Sequence, residues 1–140
     1  MTASLPDQVP AQFQLYQTAT DAPVRWRLLS GNHRPIGRSA HAFDTIAECL
    51  DSLAELSRVL DQLDLLLTRV PGNLWIWRAG YQGTDLALSA HAYDRQIRAM
   101  HAQAQFQQRV ATARINELVM VTATRRWRSL AGAGSRESSR

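Results

Sequence analysis

Two histidines sit in almost the same six residues: His41 in SAHAFD (39–44) and His91 in SAHAYD (89–94). A pair of imidazoles brought together by a repeat could hold a metal or relay a proton. A metal asks for more, because even catalytic zinc usually takes three protein ligands, and no third ligand stands beside either histidine in the sequence. Alternation along each segment points instead to polar side chains near the end of a strand, with Asp44 and Asp94 three residues on as simple hydrogen-bond partners. Cys49 falls on the apolar stripe of a predicted helix with no basic neighbour to lower its pKa, so it reads as a small core hydrophobe rather than a nucleophile. Glu48, Asp51 and Glu55 are spaced as a solvated helix face. The chain has no G-x-G-x-x-G after a strand, no H-E-x-x-H, no cysteine pair and no G-x-S-x-G. A Walker lysine is impossible, since all 16 basic residues are arginine. The expectation is a protein that is not an enzyme, with no catalytic residue, no metal and no cofactor.

The arginines are the other candidates. The net charge is +4, but it is unevenly spread. Residues 44–64 carry six acids against Arg58 alone, a net of −5, whereas residues 95–140 carry nine arginines against two acids, a net of +7. Strand alternation places Arg25, Arg27, Arg38 and Arg78 on the side opposite Trp26, Trp75 and Trp77, with Tyr16 among the arginines. Arginine mixed with an aromatic on an open sheet suits RNA or single-stranded nucleic acid, and it is also how an ordinary solvated face looks. Further on, Arg125, Arg126, Trp127 and Arg128 form a basic patch that fits an acidic partner, nucleic acid or the chain's own acidic helix.

The elements that position these residues come in two similar sets. QFQLYQ alternates with a period of two, as do VRWRLLS and IGRSAHAF, and SGNHRP between the latter two marks a hairpin. Thr45 and Glu48 form a capping box that opens a helix with Ile46, Cys49, Leu50, Leu53, Leu56 and Leu60 on one stripe. About fifty residues later the order recurs. DLLLTRV and LWIWRAG flank the turn PGN, TDLALSAHAY is a third strand, and residues 95–112 are a helix with Ile97, Met100, Ala104 and Ala111 on its buried side. An apolar run at 117–124 closes the chain's ordered part as a strand. The junction RVLDQLDLLLTRV is short, so one segment there must serve both as an end and as a beginning.

The strings WRLLSGN and IGRSAHAF, with the serine-to-aromatic run into a helix, resemble the YegP-like family of small tandem-repeat proteins of unknown function. The second half resembles it less, departing at AGYQGTDLAL. The resemblance covers roughly residues 12–122. It implies an α+β fold: two tandem β-β-β-α(-β) repeats, exchanging their last strands, form a single antiparallel sheet with both helices on one face. On this reading residues 1–11 are a flexible lead. Residues 12–124 are one domain, with repeats at 12–60 and 62–124, and residues 125–140 are a mostly disordered basic tail.

At 45% apolar and 20% charged, the 140 residues read as one globular domain. No apolar run approaches the ~20 residues that span a bilayer, the first residues lack the pattern of a signal peptide, and a lone cysteine suits a reducing cytoplasm. Alternation also sets Leu65, Leu67 and Ile76 beside Arg27 and Arg78, away from the helices. Such a patch of aliphatics calls for a cover, either the C-terminal stretch with Trp127 and Leu130 or a second copy. The functional expectation is a non-enzymatic protein–protein interaction module, forming a homodimer through the sheet face and meeting an unknown protein partner, with nucleic-acid or ribonucleoprotein binding as the alternative and no membrane.

Overall fold

A computed structural model describes residues 9–122. The strands and helices follow in the order β1 (Gln12–Gln17), β2 (Arg25–Leu29), β3 (Pro35–Ser39), α1 (Ile46–Arg58), β4 (Asp64–Val70), β5 (Leu74–Tyr81), β6 (Thr84–Leu88), α2 (Gln96–Val110) and β7 (Arg114–Val121). All seven strands form one sheet in the order β4-β5-β6-β3-β2-β1-β7. The short junction after α1 holds one helical turn, Leu60–Gln62, and one strand, β4, which stands at the sheet's edge beside β5.

The expectation of an antiparallel sheet fails at one pair, because β7 runs parallel to β1. A hairpin forces reversal, but β7 is reached from β6 through a helix, and a helical crossover leaves direction free. The β7 register also slips. Gln14 pairs with Asn116 and the next residue, Leu15, with Val119, so Glu117 and Leu118 bulge out of the ladder.

Both helices lie on the tryptophan side. Trp26 donates its indole N–H to Ser52 Oγ of α1 (3.1 Å), while Phe106 of α2 stacks on Trp26 (centroids 6.4 Å apart) and tilts against Trp77 (4.6 Å). Cys49, Leu53 and Leu56 of α1 share one buried cluster with Phe106 and Val110 of α2 and with Phe13, Leu15 and Leu28 of the sheet. The start of α1 is the expected box: Thr45 Oγ1 accepts from the Glu48 N–H (3.1 Å), and Glu48 Oε1 accepts from the Asp44 N–H (3.2 Å).

The stripe expected for α2 is turned. Ile97 and Met100 are 47% and 45% exposed and Ala104 and Ala111 are exposed too, while Ala99, Gln103, Phe106 and Val110 are buried. The aliphatics of this glutamine-rich helix define no clean stripe. One large ring decides the rotation: Phe106 drops onto Gly37, where a Cβ would stand 2.5 Å from its ring atoms and 3.1 Å from Trp77.

The two six-residue strings do matching jobs. Ser39 Oγ accepts from the Trp26 N–H and Ser89 Oγ from the Trp77 N–H, each at 3.3 Å, and both serines are buried. Phe43 exchanges both backbone hydrogen bonds with Val24, and Tyr93 does the same with Trp75, all at 2.7 Å. The string thus leaves the strand on a buried hydroxyl and returns to bridge the residue two before the tryptophan.

Two predictions test this packing. Gly37→Ala should cost roughly 1–3 kcal/mol by overpacking. Phe106→Leu should recover part of that loss in the double variant, giving a favourable coupling in a urea-unfolding cycle. Additive losses would show that Gly37 and Phe106 do not constrain each other. The second concerns Trp77, whose buried Nε1 has no hydrogen-bond partner among the described residues. Fifty residues beyond Ser52, which serves Trp26, the chain has Ala102. Ala102→Ser should therefore stabilise the fold by about 1 kcal/mol, read as a higher urea midpoint.

Candidate interaction surface

Period-two alternation puts the neighbours of the two tryptophans on the far side of the sheet, and the register aligns them. Arg78 pairs with Leu88, Leu88 with Arg38, Arg38 with Arg27, and Arg27 with Gln14. Residues paired this way point to the same face. Three arginines therefore form one row across the strands, with Leu66 at one end and Asn116 at the other. Arg25 and Tyr16, paired with each other, stand two residues along on the same face.

Two of these four arginines, Arg27 and Arg78, already have partners. Arg27 Nε donates to Gln14 Oε1 (2.7 Å), and its guanidinium lies 5.1 Å from the Tyr16 ring centroid. Arg78 meets Asp85 in a two-point ion pair (3.1 and 3.3 Å) and also reaches Thr68 Oγ1. Arg38 is exposed and forms no side-chain hydrogen bond among the described residues. The aromatic face that would stack a base is thus occupied by Arg27. Arg125, Arg126, Trp127 and Arg128 lie outside the described residues, as does Leu130.

The aliphatics need a correction. Leu67 pairs with Trp77 and Leu65 with Ala79, so both lie on the helix side, and Leu67 packs against the core. Ile76 does share the arginine face, paired with Thr68, and the leucine beside it is Leu66. In the run DLLLTRV three leucines in succession give no parity. The pairing with Trp77 fixes it.

Further exposed aliphatics are on β7. Ile115, Leu118, Met120 and Val121 are all exposed, Leu118 at 78% because the bulge throws it outward. They wrap the sheet's edge: Met120 follows Tyr16 on the arginine face, and Val121 follows Gln17 on the other. The run LVMV was the available signal, as it is apolar at every position.

The candidates for chemistry sit apart. His41 and His91 are exposed. No group of three or more His, Cys, Asp or Glu among the described residues is arranged to hold a metal. Cys49 is fully buried in the core, and the loss of hydration pushes its thiol up to about 11. The fold thus favours the neutral thiol. That contribution is complete below the ordinary value of 9.0 and is lost as pH rises to about 11. Between about pH 8 and about pH 11 the natural chain should lose roughly 2–3 kcal/mol that Cys49→Ala does not lose, measured by urea unfolding at both ends. Equal losses in the two proteins would show a solvated thiol.

No protein-family model matches the chain, and no curated protein matches it. Two solved structures share its fold. The solution structure of yegP from E. coli, a protein of unknown function, superposes with a TM-score of 0.60 at 14% identity, over 77% of this chain and 94% of that one. The solution structure of a UPF0339 protein from Shewanella oneidensis does so with a TM-score of 0.63 at 8% identity, over 76% and 92%. The YegP-like fold implied by the sequence resemblance is therefore present: mixed α+β, one seven-stranded sheet and two helices. No helix among the described residues is long and apolar enough to cross a membrane.

Proposed function

We propose that the chain is a non-enzymatic protein–protein interaction module whose partner is a second copy of itself, met along the apolar edge at β7. One observation carries this reading. Among the described residues, four of the ten large exposed hydrophobics lie on this one strand. Large aliphatics gathered in this way along one edge strand point to an interface. Fully burying an exposed side chain contributes about 1.5–3 kcal/mol. Leu118 is 78% exposed and Ile115, Met120 and Val121 about half, so burying the strands of two copies together is still on the scale of the roughly 4–15 kcal/mol that association costs. The arginine face is a poorer place for a homodimer. Stacking two copies face to face would set Arg25, Arg27, Arg38 and Arg78 against their own kind, with Asp85 already paired to Arg78.

The finer organisation belongs to the same reading. The matched serine–tryptophan bonds and aromatic bridges support two tandem copies of one ancestral β-β-β-α unit, with β4 standing beside β5 as β1 stands beside β2. The lone buried thiol supports a reducing, cytoplasmic setting. Nucleic-acid binding loses ground, because Arg27 covers Tyr16 and Asp85 neutralises Arg78.

Light scattering at micromolar concentration should give twice the mass of one chain. Leu118→Lys, a change on a fully outward side chain, should return a single-chain mass without lowering the unfolding midpoint. A single-chain mass for the natural sequence throughout the range, or a dimer that survives Leu118→Lys, would overturn the β7 interface.

A further inference from the structure

Away from both the arginine row and β7, a cavity of about 920 Å³ opens between the β2–β3 hairpin, the segment 9–11 that leads into β1, and the last turn of α2. Its size lies within the range of small-molecule sites, roughly 300–1,000 Å³. The hairpin wall is held firmly. Ser30 N–H donates to the Arg34 carbonyl (2.8 Å), His33 N–H to the Ser30 carbonyl (2.8 Å), and Arg34 N–H to Ser30 Oγ (3.2 Å). Ser30 Oγ also bonds Asn32 Oδ1, which leaves the Asn32 amide N–H₂ free. His33 takes a left-handed conformation (φ 67°), and this turn delivers Arg34 to the cavity. The hairpin also lies directly on the entering chain: a Cβ on Gly31 would stand 2.5 Å from the Val9 carbonyl oxygen.

The opposite wall brings Arg109 and Gln105 from α2. Arg109 in the last turn complements the helix's C-terminal carbonyls, which accounts for one cation there. It does not account for the second. Arg34 comes from a different element, and no carboxylate stands among the described residues that line the cavity. The ion pairs among the described residues are Arg58–Glu55 and Arg78–Asp85, and neither guanidinium of the cavity pairs with a described carboxylate. The other arginine-bearing surface of the protein uses Asp85, Gln14 and Thr68 as partners. Here two cations from separate elements line one open cavity, together with the Asn32 and Gln105 amides and the apolar Ile36 and Pro10.

We infer that this cavity binds a small organic phosphate. Guanidinium groups offer planar, paired N–H donors that match phosphate oxygens, and two of them from separate elements balance a dianion. Asn32 and Gln105 supply the remaining donors, and Ile36 and Pro10 take the apolar body. The site is independent of the β7 interface.

The test uses phenyl phosphate as the probe on the full chain, followed by ¹⁵N NMR of side-chain N–H groups, with phenol and benzoate as controls. Phenyl phosphate should shift the Arg34 and Arg109 Nε–H and the Gln105 amide signals saturably, phenol should not, and benzoate should bind more weakly. Arg34→Gln lies on an exposed hairpin and keeps the core intact, so it should weaken binding about tenfold, the equivalent of ~1.4 kcal/mol. Arg109→Gln should do the same. Absence of saturable shifts would overturn the site. So would shifts that persist in the Arg34→Gln, Arg109→Gln double variant, or that fall equally on Arg25 and Arg38.

Discussion

The fold turns on one ring. Phe106 comes from the second helix, yet it rests on Gly37 of the first half's third strand and lies against tryptophans from both halves. Trp26 and Trp77 are each fully buried beneath it. Aromatic contacts of this kind add about 0.5–1.5 kcal/mol to the area they bury, but their geometric effect matters more. A ring wedged between two halves makes one core of them, so neither half can shift without opening the other. The bare backbone at Gly37 is what lets the ring sit that low, and it sets the rotation of α2 against the sheet.

That placement determines the outer surface. With both tryptophans pointing to the helices, a period of two sends Arg27 and Arg78 the other way, and the pairing of β2 with β3 brings Arg38 into the same row. A row of like charges is unfavourable unless it is interrupted or neutralised. Leu88 separates Arg78 from Arg38, Asp85 pairs with Arg78, and Gln14 with the Tyr16 ring takes up Arg27. These contacts make the face self-consistent as a solvated surface. They also engage Arg27, Arg78 and the Tyr16 ring, while Arg38 stays exposed.

Much of this was legible in the residues. Regular alternation in QFQLYQ and RWRLL gave strand faces that hold in the structure, and the T-x-x-E box gave the start of α1. The repeated SAHA[FY]D string announced two equivalent strand exits, and Ser39 and Ser89 fill them alike. What was not legible depends on partners distant in sequence. DLLLTRV has three leucines in succession, so its parity follows from Trp77 across the hairpin rather than from its own pattern. In α2 the aliphatics Ile97 and Met100 compete with Phe106 for the core, and only the space above Gly37 decides between them. The direction of β7 is set by a crossover, which leaves no local signature. The cavity between Arg34 and Arg109 joins residues seventy-five positions apart and could not be read from either segment.

The bulge in β7 bears on what kind of contact its edge can make. A regular edge strand offers an unbroken row of N–H and C=O groups and invites another strand to extend the sheet. Here Glu117 and Leu118 leave the ladder, and the Leu118 N–H turns back to Asn116 Oδ1 (3.1 Å). A strand laid along β7 would therefore lose pairing in the middle and face a carboxylate at the same point. The irregularity that blocks unlimited sheet growth is also what projects Leu118 beyond its neighbours. An edge built this way discriminates against ladder pairing and favours contact through side chains, with Leu118 as the knob and Ile115, Met120 and Val121 around it. The dimer proposed above needs such a side-chain contact to be isologous, so that it closes as a twofold pair, whereas open β-augmentation leads toward fibres.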